Sequence, residues 1–253
     1  MSEFTWPGRI RAAVSVSFDD GRVSQLEQAM PILDAHDARG TFYILPRCVE
    51  SEQAARAWRA AAQAGHEMGN HTVTHPCSGN YGFARARALE NLTLEQMAAE
   101  LDGAQRALDD RLGVTPTSFA YPCGQRFVGR GVGVQSYVPL VAQRFGFGRA
   151  FRDESANDPA FCDPAQLFGV DFDGISVEEL EPWLDATIAQ GHWLVLAGHD
   201  VSDEPARQAI PARTLAWLCA RAREDEALWL DTVSNVGACV MHRREAAPAE
   251  GGV

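Results

Sequence analysis

Short apolar runs recur along this chain, each followed by a helix-patterned stretch, and that alternation limits the fold more than any other feature. AAVSVSF (Ala12–Phe18) is β-branched and alternating, and it stops at the turn-forming Asp19, Asp20 and Gly21. Ser24 with Glu27 predicts a capping box over an apolar face of Leu26, Met30 and Leu33, where Pro31 predicts a kink or a late helix start. Further strands are expected at residues 41–45 (TFYIL), 67–70, 117–121 (TSFAY), 167–172 (LFGVDF), 192–198 (HWLVLAG) and 228–231 (LWLD). Helices are expected from Ser51 to Gly65, from a Thr93–Gln96 box to Gly113, from a Ser176–Glu179 box to Gly191, over 206–223, and briefly after 231.

Strands separated by helices imply a parallel sheet with right-handed crossovers. The expected fold is α/β, a distorted (β/α) barrel of seven to eight parallel strands, with a doubly wound open sheet as the competing arrangement. Residues 1–243 read as a single domain and 244–253 as a disordered tail. Gly129, Gly131 and Gly133 miss the dinucleotide fingerprint because Val134 stands where a glycine is required, so they read as a surface loop.

Composition acts by exclusion. All 22 basic residues are arginine, against 34 acidic ones, for a net charge of −12. A chain without lysine has no Schiff base, no phosphate-loop lysine and no kinase-type lysine. Its acidity argues against nucleic acid as a partner. No apolar stretch reaches the ~18 residues of a membrane span, and MSEFTWPGRIR lacks the features of a secretory leader, so no membrane partner and a cytoplasmic location are expected. The six cysteines form no C-x-x-C pair and are expected to be reduced.

Residues fit for chemistry follow the predicted strands: Asp19 and Asp20 the first, His71 and His75 the third, 121–124 the fourth, Asp171 and Asp173 a later one, His199 and Asp200 the apolar HWLVLAG. In a parallel barrel the C-terminal strand ends open on one face, where these groups converge. His71 and His75, four apart in HTVTH, can face one way on a helical turn, and Thr72 excludes the zincin pattern. Adding Asp20 makes a two-histidine, one-carboxylate set suited to a divalent metal. Asp19, pointing away from Asp20, is free to act as a general base.

These residues resemble the polysaccharide deacetylase family, also called the NodB homology domain or carbohydrate esterase family 4. SFDDG (17–21) is similar to its first motif, HTVTH (71–75) to its second, AYPCG (120–124) to its third and LAGHD (196–200) to its fifth. The resemblance implies a NodB-like barrel and metal-dependent removal of an acetyl group from an N- or O-acetylated carbohydrate, here a small or soluble one. By the same resemblance, Asp20, His71 and His75 are metal ligands, with zinc first and cobalt, manganese, nickel or iron as alternatives. Asp19 is the base and His199 the acid. Tyr121, Pro122, Cys123 and Gly124 form the oxyanion and substrate turn, with the Cys123 N–H as donor.

Ala120 stands where the family's third motif begins with the arginine that orients the base, and the fourth motif is hard to locate, Asp171 and Asp173 being candidates. Asp200, Arg126 and Arg130 complete the candidate set. Arg126, Arg130, Arg144, Arg149 and Arg152 read first as solvated loop arginines, or else as positive charge for an acidic substrate. Cys77 and Cys123 are expected to approach each other as packed thiols, a redox-sensitive pair or accessory ligands. Rival readings are an allantoinase-like hydrolase opening a cyclic amide or imide, a non-haem iron oxygenase, and a non-enzymatic sugar-binding barrel. Small amides are therefore alternative substrates, and a homo-oligomer is left open.

Overall fold

The structure, a computed structural model, describes residues 4–204 and 206–246. Eight parallel strands build the main sheet: β1 (Ala12–Phe18), β2 (Thr41–Ile44), β3 (Glu67–Asn70), β4 (Ser118–Ala120), β5 (Phe147–Arg149), β6 (Val170–Asp171), β7 (Trp193–Gly198) and β8 (Leu228–Leu230). Their order is β5-β4-β3-β2-β1-β7-β6, with β8 beside the first half of β1. The sheet curls until its edges meet at a parallel bridge between Arg149 and Leu167. That closure is the distorted barrel expected from the sequence.

Helices α1 (Met30–Ala35), α2 (Glu52–Gln63), α3 (Leu94–Leu112), α4 (Val138–Ala142), α5 (Val177–Gln190), α6 (Ala212–Glu224) and α7 (Val233–Ala246) accompany the strands. Val14, Val16 and Phe18 of β1 pack with Leu33, Phe42, Trp58, Leu184, Leu196 and Leu218 in the largest core cluster. Each such fully buried side chain contributes about 1.5–3 kcal/mol. The intervening β1 residues Ala13, Ser15 and Ser17 point to the other face, where the Trp193 indole donates to Ser15 Oγ at 3.0 Å.

Local signals explain most boundaries. The Thr93–Gln96 and Ser176–Glu179 boxes form as expected, and Gly113 and Gly191 close their helices at positive φ of 66° and 72°. The Ser24–Glu27 box does not form. A π-turn spans Gln25–Ala29, and the Ser24 hydroxyl is committed to Asp200 Oδ1 at 2.7 Å. Pro31 falls in the first turn of α1, so the late start is the one realised. Expected to begin at 206, α6 starts at Ala212, because Pro211 is its N-cap and Ala209–Ile210 pairs with Asp200–Val201 as a small parallel ladder. Of the expected tail, 244–246 continue α7, while 247–253 lie outside the described residues.

Register then places the site. Phe18 pairs with Gly198, and the Asp19 N–H donates to the Gly198 carbonyl at 2.8 Å, so Asp19 and His199 leave neighbouring strands together. Asn70 pairs with Phe119, which sets His71 beside Ala120. Ala120 pairs with Arg149, a contact no linear motif displays.

Candidate active site

HTVTH is a loop rather than a helical turn. Thr72 and His75 take left-handed φ of 65° and 55°, and Asp20 and Cys123 join them at 74° and 52°. Only Asp37 and Arg152 are the other non-glycine residues with positive φ among the described residues, so local strain concentrates at this rim. The loop is tied down at several points. Thr72 N–H donates to Asn70 Oδ1 (2.9 Å), His75 N–H to Thr72 Oγ1 (3.0 Å), and Val73 and Thr74 N–H to Glu100 Oε2 on α3 (3.0 and 2.8 Å).

His71 is fully buried, and its Nδ1 lies 2.9 Å from the Ala120 carbonyl, which accepts a hydrogen bond from Nδ1–H and so leaves Nε2 with a free lone pair. That Nε2 is buried without a partner and lies 3.8 Å from Asp20 Oδ1, while His75 Nε2 lies 3.6 Å from the same oxygen. Burial, reinforced by His71, brings the His75 imidazole down to about 4, and burial likewise lowers His71, so both rings are neutral at neutral pH. Burial pushes the Asp20 carboxyl up, but His71, His75 and Arg22 outweigh it and bring it down to about 2. Two neutral imidazole nitrogens, one of them the orphaned buried Nε2 of His71, and one carboxylate oxygen are a donor set that fits a divalent cation.

Asp19 is 4% exposed and ion-paired to Arg149, whose side chain is fully buried, lies with its guanidinium 4.9 Å from the centre of the Tyr43 ring, and donates to the Ala150 carbonyl at 2.8 Å. Arg149 is thus no solvated loop residue. It stands one strand over from Ala120 and meets Asp19, where the third motif has no arginine to do so.

His199 pairs through Nδ1 with Asp173 Oδ2 at 2.6 Å, and the His199 backbone N–H donates to Asp173 Oδ1 at 3.0 Å. Burial lowers the His199 pKa, but the hydrogen bond to Asp173 and the charges of Asp19, Asp173 and Asp20 more than reverse it, so the net shift is upward. Of the two fourth-motif candidates, Asp173 is the one that meets His199. Asp171 faces Arg152 at 3.1 Å on the exposed side.

The turn after β4 closes through Gly124 N–H to the Tyr121 carbonyl (2.8 Å) and Gln125 N–H to the Pro122 carbonyl (3.1 Å), leaving the Cys123 N–H out of it. Gly124 is required: its φ is +69°, and a Cβ there would lie 2.7 Å from the Phe151 carbonyl oxygen. The Tyr121 side chain turns into the core, with its hydroxyl donating to the Ala165 carbonyl at 2.8 Å, and Pro122 is buried beside it. Cys77 and Cys123 are joined as a disulfide with Cα atoms 6.2 Å apart, which corrects the expectation of reduced thiols. Strand pairing brings together loops 46 residues apart, a proximity the spacing of the cysteines conceals.

The other arginines have structural partners. Arg126 faces Asp153 (3.3 Å), Arg130 donates to Asn91 (2.9 Å) and Arg144 pairs with Asp102 (2.6 Å). Asp200 is held by Arg22 at 2.6 Å, and Arg22 also grips Asp20 Oδ2 at 2.9 Å. Sequence reasoning missed Arg22 and the buried Gln25, whose amide donates to the carbonyls of Asp19 (2.6 Å) and His199 (2.9 Å) and ties two strand ends together. Their position just after SFDDG was the only available signal.

With this rim described, comparison with known proteins gives the family. The profile of the family described as polysaccharide deacetylase matches residues 9–138, just over half of the chain. The chain belongs to the polysaccharide deacetylase family. Among curated relatives, the uncharacterized protein YlxY of Bacillus subtilis is 29% identical over 99 residues (39% of this chain, 27% of that protein). Chitin deacetylase 1 of Cryptococcus neoformans is 29% identical over 109 residues (43% of this chain, 20% of that protein). The chain thus spans only about a quarter of the length of those relatives.

Among solved structures, a Mycobacterium smegmatis protein assigned to the polysaccharide deacetylases has a TM-score of 0.68 at 18% identity, covering 98% of this chain and 96% of that one. A family 4 acetyl xylan esterase from Clostridium thermocellum, in complex with a cobalt ion, has a TM-score of 0.57 at 18% identity, covering 89% and 90%. A family 4 pseudoenzyme from Bacillus anthracis has a TM-score of 0.58 at 16% identity, covering 89% and 65%. These likenesses establish the fold.

Proposed function

We propose that this chain is a metal-dependent deacetylase that hydrolyses the acetyl group of an N- or O-acetylated carbohydrate. The reading is carried by the convergence, on one rim, of a cation-fitting Asp20–His71–His75 set with two buried charge pairs, Asp19–Arg149 and His199–Asp173. A divalent cation on that set, zinc first, would polarise the acyl carbonyl and acidify water. Asp19, held by Arg149, accepts the proton of the attacking water. The Cys123 N–H donates to the oxygen on which negative charge develops. His199, with Nδ1 committed to Asp173, turns Nε2 toward the leaving nitrogen or oxygen and delivers its proton there.

The upward shift of His199 supports that last role, because an acid must still hold its proton at working pH. The disulfide favours an oxidising compartment over the cytoplasm read from the sequence. Among the described residues, no helix is long and apolar enough to cross a membrane.

Metal analysis together with acetate release from a panel of N-acetyl and O-acetyl sugars tests the proposal, with Asp19→Asn and His199→Ala as controls. Metal-dependent acetate release, lost in both variants, is expected. Hydrolysis of a cyclic amide with no acetate from any sugar would replace the reading with the cyclic-amide alternative. No turnover of either class would leave a pseudoenzyme.

A further inference from the structure

The Cys77–Cys123 disulfide joins the two segments on which the proposed reaction depends: the loop carrying His75 and the turn carrying the Cys123 N–H. Cys48, Cys162, Cys219 and Cys239, the remaining cysteines, are free. His75 Nε2 faces Asp20 at 3.6 Å, while its Nδ1 lies 3.5 Å from the Cys77 sulfur. His71 is oriented differently, by a backbone carbonyl on its Nδ1. His75 therefore takes its outer support from the crosslink. His75 and Cys123 also both hold left-handed backbone conformations that non-glycine residues avoid, and a covalent bridge between their segments opposes relaxation of either.

We propose that the Cys77–Cys123 disulfide is a positioning crosslink of the active site, which sets metal affinity and the placement of the oxyanion donor and makes both sensitive to reduction. The inference rests on the proposed metal site. His75, Cys77 and Cys123 also fall within ligating distance of one another, but sulfurs joined in a disulfide are not thiolate ligands, so the crosslink acts through His75 rather than on the cation.

Cys77 is fully buried and Cys123 half-buried, so a dithiol reductant enters at the Cys123 sulfur. One thiolate of the reductant forms a bond to Cys123 Sγ as the bond to Cys77 Sγ breaks, and Cys77 leaves as a thiolate and takes up a proton. The second reductant sulfur then closes on the first and expels Cys123, which is protonated in turn. Two electrons and two protons pass to the protein, and the dithiol ends as a cyclic disulfide.

The test compares oxidised protein, protein reduced with dithiothreitol and desalted without air, and the Cys77→Ser/Cys123→Ser double variant. Thiols titrated in denaturant should number four in the oxidised protein, the free cysteines, and six in the reduced one, the full cysteine content. Zinc affinity, read by competition with a chromogenic chelator and without substrate, is expected to be about tenfold weaker after reduction and restored by reoxidation. The double variant should show the weak affinity whether or not dithiol is added, and kcat should fall with little change in KM.

Six titratable thiols in untreated protein, or equal zinc affinity in the two redox forms, would overturn the proposal. So would a sulfur-to-metal charge-transfer band in the cobalt-loaded reduced protein, which would make the cysteines ligands. If the variant fails to fold, the wild-type redox pair decides alone. Zinc binding by neither form overturns the metal reading and this inference with it. Zinc binding without acetate release overturns only the proposed reaction.

Discussion

Arg149→Met is the substitution that most directly tests how the site is held together. The Arg149 side chain is 0% exposed and that of Asp19 5%, so solvent screens their interaction little. Opposite unit charges about 4 Å apart interact by about 4 kcal/mol at an effective dielectric near 20. Breaking a buried pair by removing one partner costs about 3–5 kcal/mol, because the remaining charge stays buried and uncompensated. Arg149→Met is therefore expected to lose about 3–5 kcal/mol, a large share of a total near 5–15 kcal/mol.

Asp19→Asn/Arg149→Met removes both charges and is expected to be more stable than Arg149→Met alone. Guanidinium unfolding monitored by tryptophan fluorescence reads this as a lower midpoint with an unchanged slope. Wild type and variants are stripped of metal first, so that differential binding adds nothing. A loss under about 1 kcal/mol for Arg149→Met, or single losses that simply add in the double variant, would refute the claim that Arg149 neutralises a buried Asp19.

Three further outcomes are expected. Asp173→Asn removes a group that raises the His199 pKa, so His199 loses its proton at lower pH, and the alkaline limb of the kcat profile should move downward; an unmoved limb counts against His199 as the acid. Gln25→Leu leaves two buried carbonyls without their donor, at about 1–3 kcal/mol each, and should lower both the unfolding midpoint and kcat. Gly124→Ala places a Cβ against the Phe151 backbone at a positive φ and should cost about 1–3 kcal/mol with a fall in kcat; a circular dichroism melt alongside acetate release checks that the turn, and not the whole fold, is what moves.

Much of the candidate site was legible because each residue's position relative to a strand end survives in one dimension. Asp19, Asp20, His71, His75 and His199 all follow expected strands, and a parallel barrel gathers such ends whatever the lengths of the connections. What failed were inferences needing lateral contact. Arg149 looked like one loop arginine among several, since its pairing with Ala120 exists only across two adjacent strands. HTVTH fits a helical turn by spacing, but Asn70 and Glu100 hold it as a left-handed loop. The Ser24–Glu27 box was locally sound, yet Asp200, 176 residues away, claimed the serine hydroxyl.

The sequence by itself determined the alternating α/β order and the donor types, while leaving barrel and open sheet as rivals, because hydrophobic period and turn chemistry act over a few residues and are written in order along the chain. It also closed off lysine chemistry outright. Only the tertiary structure decided which arginine meets Asp19, which aspartate meets His199, and that Cys77 and Cys123 are bonded. Those are contacts between residues 26 to 130 positions apart, set by strand register and barrel closure, and register depends on the packing of the whole sheet.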